Sequence, residues 1–298
     1  MKTLSKLVTL VTLFTTLTSV AQHSPLKRDF EVPKGNVTSI EEHQFNKDLN
    51  IKDRIAMSDN PAITRYAFNK DGYVTLFENP KYHSTTFTYN PNYTQYTSNK
   101  KNLFDKGKAD TQTTLNLFWL HGNLYAGFHS EFETDAKGDT IVARSIKKDY
   151  EFTWKIRPYG DGYAQHDGFR ETFYNAKGQK IYIASGGGHK FTMYNEDNLP
   201  GIEVDYSYTM LNYYDAYMYE FDKQGNWTKR IRLRLDKAPW SDKKWHVHEI
   251  TYRGLGYDGK KAVIAATDTE ADITKYEEQA KALPQLTIDP LKEINSKK

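Results

Sequence analysis

Residues 217–235 read Tyr-Met-Tyr-Glu-Phe-Asp-Lys-Gln-Gly-Asn-Trp-Thr-Lys-Arg-Ile-Arg-Leu-Arg-Leu, and this stretch decides the fold. An aromatic-rich run meets Asp222, two residues and Gly225, and a second alternating run follows. Asp at the first position of a type I turn caps its own backbone, and Gly at the fourth takes the positive φ that closes a hairpin through a bulge. The same unit recurs at Asn69 to Gly72, Asp135 to Gly138 and Asn175 to Gly178. Four hairpins are therefore encoded locally, and the chain reads as mainly β.

The turn also predicts a register. Skipping only the bulged Gly puts Phe221 opposite Trp227, Tyr219 opposite Lys229 and Tyr217 opposite Ile231. One face then holds Tyr213, Tyr217, Tyr219, Phe221, Trp227, Ile231, Leu233 and Leu235, and the other holds Glu220, Thr228 and the row Arg230, Arg232, Arg234, read as a solvated face. The same rule groups Tyr66 and Phe68 with Val74 and Leu76, Phe128 and Phe132 with Val142 and Ile146, and Phe169 and Phe173 with Ile181 and Ile183.

Outward from the hairpins, residues 62–266 alternate β-prone runs with turn clusters, the spacing of an antiparallel meander, whether open sheet, sandwich or short solenoid. Residues 22–60 are polar, carry Pro25 and Pro33, and predict an extended leader with a short helix near 39–47. Residues 79–110 read as a long excursion between hairpins, the kind of segment where binding tends to sit. A helix is predicted over 268–283: Asp268 or Thr269 caps it, Pro284 stops it, and Ile273, Tyr276, Ala280 and Leu283 share a face. Docked on the sheet, it would shield the last strand from edge-to-edge association. The organisation expected is thus a leader segment, a β domain over 61–267, a helix over 268–284 and a polar tail over 285–298.

Residues 1–21 open with Lys2 and Lys6, run through an uncharged Leu, Val, Thr and Phe stretch, and end in Ser19-Val20-Ala21. That is the pattern of a cleavable export signal, with a mature start at Gln22. The apolar run is shorter than the roughly 20 residues a membrane-crossing helix needs. The chain has no cysteine, so an exported form must be stable without disulfides. Loss of Lys2 and Lys6 with no acid lowers the formal net charge from +3 to +1, which excludes the electrostatic footprint of a nucleic-acid binder. A soluble protein of the periplasm or medium is the expectation.

The unit at 219–231 resembles the YD-repeat family of bacterial exported proteins, whose repeats centre on an aromatic, an Asp, two variable residues and Gly before a strand. The other three units follow that pattern degenerately, and the spacing of their turn glycines is irregular. The resemblance implies an extracytoplasmic β-hairpin protein with a cell-surface or carbohydrate-linked role. It carries over no catalytic residue.

Few residues suggest chemistry. His246 and His248 could share a strand face and offer two imidazoles to an ion, but two ligands do not make a site, and no metal or cofactor is expected. The Ser185-Gly186-Gly187-Gly188-His189 run lacks the Lys and helix start of a phosphate loop and reads as a hairpin loop. The tyrosines are more telling: the chain has 22 of them, on both strand parities and in the Asn- and Pro-rich excursion. Tyr89, Tyr93, Tyr96, Tyr206, Tyr208 and Tyr214 are therefore the binding residues expected, for a glycan or an envelope protein partner, on a non-enzymatic envelope protein. The alternative is an extracytoplasmic hydrolase of a polymer, with carboxylates that meet only in three dimensions.

Overall fold

A computed structural model describes residues 33–46, 61–105, 107–120, 123–127, 131–136, 140–147, 150–207, 210–237, 244–264, 268 and 270–283. The chain is mainly β, with a single helix among the described residues near the C-terminus. Its strands are β1 (Val37–Asn46), β2 (Ala62–Phe68), β3 (Val74–Asn79), β4 (His83–Tyr89), β5 (Gln95–Asn102), β6 (Thr111–Leu120), β7 (Asn123–Gly127), β8 (Glu131–Thr134) and β9 (Thr140–Lys147). There follow β10 (Tyr150–Tyr159), β11 (Gly162–His166), β12 (Arg170–Tyr174), β13 (Lys180–Ser185), β14 (Gly188–Tyr194), β15 (Pro200–Ser207), β16 (Met210–Phe221), β17 (Trp227–Asp236) and β18 (Trp245–Tyr257), and then α1 (Glu270–Ala280).

All the strands belong to one antiparallel sheet. β1 pairs with β2 on one side and with β18 on the other. From β2 the ladders descend the chain strand by strand to β7, and from β18 they run back to β8. Among the described residues the sheet is thus open between β7 and β8, which are joined by residues 128–130. A link of that length reaches about 14 Å at most, whereas the outer strands of a flat sheet this wide would stand about 80 Å apart. The sheet must curl until its two ends nearly meet, and β6 and β9 indeed approach within 8 Å.

Because β1 lies inside the sheet, the helix expected near 39–47 is replaced by a strand. Val37 and Ile40 are both buried, three residues apart across a bulge between Val37 and Ser39, so no simple alternation marked the strand. The excursion expected over 79–110 is likewise a hairpin, β4 against β5, with Asn90 closing its turn through Oδ1 to the backbone N of Thr94 and Gln95.

The turns hold as read. Gly72, Gly178 and Gly225 all have positive φ, and in each turn the Asn69, Asn175 or Asp222 side chain accepts from two backbone N–H groups further on. The turn at 135–138 extends beyond the described residues. Two turns of the same build carry no Gly: Asn195 closes on Leu199 with Asn198 at φ 63°, and Asn90 closes on Gln95 with Tyr93 at φ 52°.

The register beyond the turn is corrected by one residue. Phe221 does face Trp227, but Thr228 is then extruded, so Tyr219 faces Arg230 and Tyr217 faces Arg232. Thr75, Ile181 and Ile141 are extruded at the same place in their own hairpins, so that Phe77 meets Tyr66, Tyr182 meets Phe173 and Ala143 meets Phe132. Phe128 lies outside the described residues. Each hairpin therefore contains a second bulge after the Gly, and one extra residue sends every side chain past it to the other face.

The core sits in three places. Ile231, Leu233, Val247, Ile250 and Tyr252 of β17 and β18 are buried beneath Ile273, Tyr276 and Ala280 of α1. Ala164, Phe173, Tyr182, Phe191, Val204 and Tyr206 form a second cluster across β11 to β15, and Tyr73, Tyr96 and Leu117 a third. The helix covers a face of the sheet; the edge of β18 is covered by β1, which corrects its expected role as an edge guard.

Candidate functional site

Correcting the register changes the character of one face. Tyr213, Asp215, Tyr217 and Tyr219 of β16 now stand beside Arg230, Arg232 and Arg234 of β17, with Glu249 and Thr251 of β18 across from them. The arginine row is not a solvated face. Arg234 grips Asp215 with two hydrogen bonds, Nε to Oδ1 at 2.8 Å and Nη2 to Oδ2 at 2.9 Å, and lies 3.7 Å over the Tyr213 ring. Arg230 Nη2 donates to Glu249 Oε1 at 2.9 Å, and the same carboxylate accepts from Thr251 and from Gln44 of β1. Asp215 and Glu249 are both almost fully buried. Burial alone would lower the Arg230 pKa, and the Glu249 carboxylate together with Tyr219 and Tyr217 more than reverses it. Flanking this centre, Tyr217 donates to Glu203 at 2.5 Å and Lys190 pairs with the same carboxylate at 2.8 Å. Burial first, then Glu203, pushes the Tyr217 phenol pKa upward. On the other flank Arg253 pairs with Glu42 at 2.7 Å and lies 3.3 Å over Trp227.

The tyrosines expected to bind are placed differently. Tyr89 donates to the Val74 carbonyl at 2.7 Å, Tyr96 is buried, and Tyr93 stacks on Tyr73 with centroids 3.9 Å apart while its hydroxyl reaches Asp71. Tyr206 is buried against Phe191, and Tyr214 packs on the same cluster. Tyr96 and Tyr206 thus belong to the core and Tyr89, Tyr93 and Tyr214 are half-buried against it; Tyr208 lies outside the described residues. The structure brings Tyr89, Tyr93 and Tyr96 together, as a ring cluster rather than a display. His246 and His248 lie with ring centroids 6.2 Å apart, His248 at a bulge, and among the described residues no group of three or more His, Asp or Glu side chains could hold an ion. Ser185 and Gly188 pair across Gly186 and Gly187, both at positive φ, so the glycine run is a two-residue hairpin turn.

What is displayed lies at one end of the sheet. In an antiparallel meander all links from odd to even strands share a rim. Tyr82, Phe104, Phe169 and Met210 sit at the β3 to β4, β5 to β6, β11 to β12 and β15 to β16 links, with Phe104 74% and Phe169 75% exposed. Tyr82 and Phe104 pair at 6.3 Å. The opposite rim carries the Asn and Asp turns, zipped together by Lys177 Nζ to Asn198 Oδ1, Tyr93 to Asp71 and Asn226 Nδ2 to the Tyr257 hydroxyl; its exposed apolar side chains, Phe221, Met193 and Phe132, are each only about 40% exposed. No sequence periodicity marked the aromatic rim, because each tip is a single residue in a link of different length.

No family model matches the chain, and no curated protein does. Among solved structures it is similar to a porin-like protein from Bacteroides uniformis, at 11% identity over 75% of this chain and 98% of that one, with a TM-score of 0.33. Among the described residues no helix is long and apolar enough to cross a membrane.

Proposed function

We propose that this is an exported, non-enzymatic protein of the bacterial cell envelope that recognises a glycan or protein partner through aromatic tips on one rim. The observation that carries the reading is the asymmetry between the two ends of the sheet. One end ties its turns together with hydrogen bonds and exposes Phe132, Met193 and Phe221 by about 40% each, while the other holds Phe104 and Phe169 three-quarters exposed with Tyr82 and Met210. Exposed rings give large contact area at small entropic cost, which suits stacking on sugars or docking a chain. Export rests on the basic start, apolar run and Ser19-Val20-Ala21.

The test is a double substitution, Phe104→Ser with Phe169→Ser, neither side chain belonging to the core. Wild-type protein should co-sediment with purified cell-wall sacculi or give a specific photo-crosslink from position 104 in the envelope of its host. The double variant, with unchanged circular dichroism, should lose that interaction. Retention of the interaction by the variant, absence of both signals in the wild type, or an exported form that keeps residues 1–21 would overturn the reading.

A further inference from the structure

We propose that Arg232 anchors an oxyanion-binding site on the tyrosine and arginine face, taking a carboxylate or sulfate group of a soluble ligand. The inner cluster sets three guanidinium groups against two carboxylates. Arg234 occupies both oxygens of Asp215, and Arg230, Thr251 and Gln44 occupy Glu249. Arg232 is left between them, its Nε 3.7 Å from Asp215 and its Nη1 3.5 Å from Glu249, with no hydrogen bond to either. Its Nε, like that of Arg230, is buried and has no acceptor among the described residues. A buried donor of this kind ordinarily has a partner.

The outer groups are paired as well: Lys190 lies against Glu203 and opposite Asp205, which accepts from Asn212, and Arg253 pairs with Glu42. The face is balanced in charge, so what sets Arg232 apart is its unmet donor and not a surplus of positive charge. Arg232 nevertheless reaches solvent, its side chain 23% exposed, and Tyr217 stands directly opposite it on β16. The planar fork of a guanidinium matches the paired oxygens of a carboxylate or sulfate. The site is mid-strand, away from the aromatic rim, and stands or falls independently of it.

Titration of the exported protein with sodium sulfate, sodium glucuronate and glucose, followed by NMR and calorimetry, tests the site. Both anions should bind and glucose should not. Sulfate binding without glucuronate would also support the site and assign it to a free anion. Arg232→Gln, which leaves the other two arginine pairs in place, should weaken binding by at least about tenfold at unchanged fold. Should that variant unfold, Arg232→Lys decides, since it keeps the charge and loses the fork: a clear loss of affinity supports the site and an unchanged affinity overturns it. Failure of wild type to bind either anion, or glucose binding equal to glucuronate, would also overturn it.

Discussion

Lys229 rises from the apolar face of β17 and places its Nζ 2.6 Å from Asp268 Oδ1, just before α1, with the Tyr276 hydroxyl of the helix as a further partner. Both charges are largely buried. Burial alone would lower the Lys229 pKa; the hydrogen bonds to Asp268, Tyr276 and Glu220 overcome it and raise the value. The pair is a polar pin through a largely apolar contact between helix and sheet, alongside the Val247 backbone N–H that donates to Glu277 Oε1 at 2.9 Å.

Removing one half of a largely buried pair strands the other. Lys229→Ala is expected to destabilise by about 3 kcal/mol, read from urea unfolding. Adding Asp268→Asn to Lys229→Met should cost less than the two single losses together. Strict additivity of the singles would show that the two groups do not act as a pair.

Alkali should unfold the protein through its tyrosines. Burial pushes the Tyr96 phenol up to about 12, and burial with the hydrogen bond to Asp222 takes Tyr257 to about 12; Tyr89 and Tyr217 are raised further, again chiefly by burial. The fold holds these phenols neutral, so their contribution is complete below the ordinary tyrosine value of about 10 and is lost as pH rises through the folded-state values. Absorbance at 295 nm should therefore climb in two stages, the second coinciding with loss of circular dichroism. A single stage centred on the ordinary value, with the fold intact, would contradict the burial of this set.

The Asp222 turn offers an internal control. Gly225 has φ 78°, and a Cβ there would stand 3.1 Å from Lys34 Nζ. Gly225→Val should cost about 1–3 kcal/mol. Gly225→Asn should cost less, because Asn198 already adopts φ 63° at the corresponding place in its own turn. Thermal unfolding that ranks Val and Asn equally would mean the backbone there is not constrained as described.

The turns were legible because their chemistry is local: Asn69, Asn175 and Asp222 each cap a neighbouring backbone, and Gly supplies the φ. The helix was legible for the same reason, through its periodic apolar residues and the stop at Pro284. What escaped was non-local. Whether Thr228 pairs or is extruded depends on the ladder to β16, and that one residue decides whether Tyr217 meets Ile231 or Arg232. The strand character of 37–46 was hidden because its partners lie at 62–67 and 249–257. Tyr89 and Tyr96 look available in sequence because the turns at Asn90 and Asn195 lack the Gly that marks the others, so the hairpin that packs these tyrosines has no local signature. The aromatic tips and the unmatched Nε of Arg232 follow from strand direction and register, neither of which composition reports.

The position of β1 fixes an order of events in the life of the chain. Its pairing with β2 can form early, from neighbouring sequence, but the other side of β1 waits for β18, more than 200 residues later. Until then a newly made chain carries an open edge of unpaired backbone, which is a template for pairing with other chains. Closing so long a loop delays the reward of the contacts it brings. The final stitch in assembly is therefore the docking of β18 against β1, and a chain cut short before Trp245 would keep its early hairpins while leaving that seam unsewn.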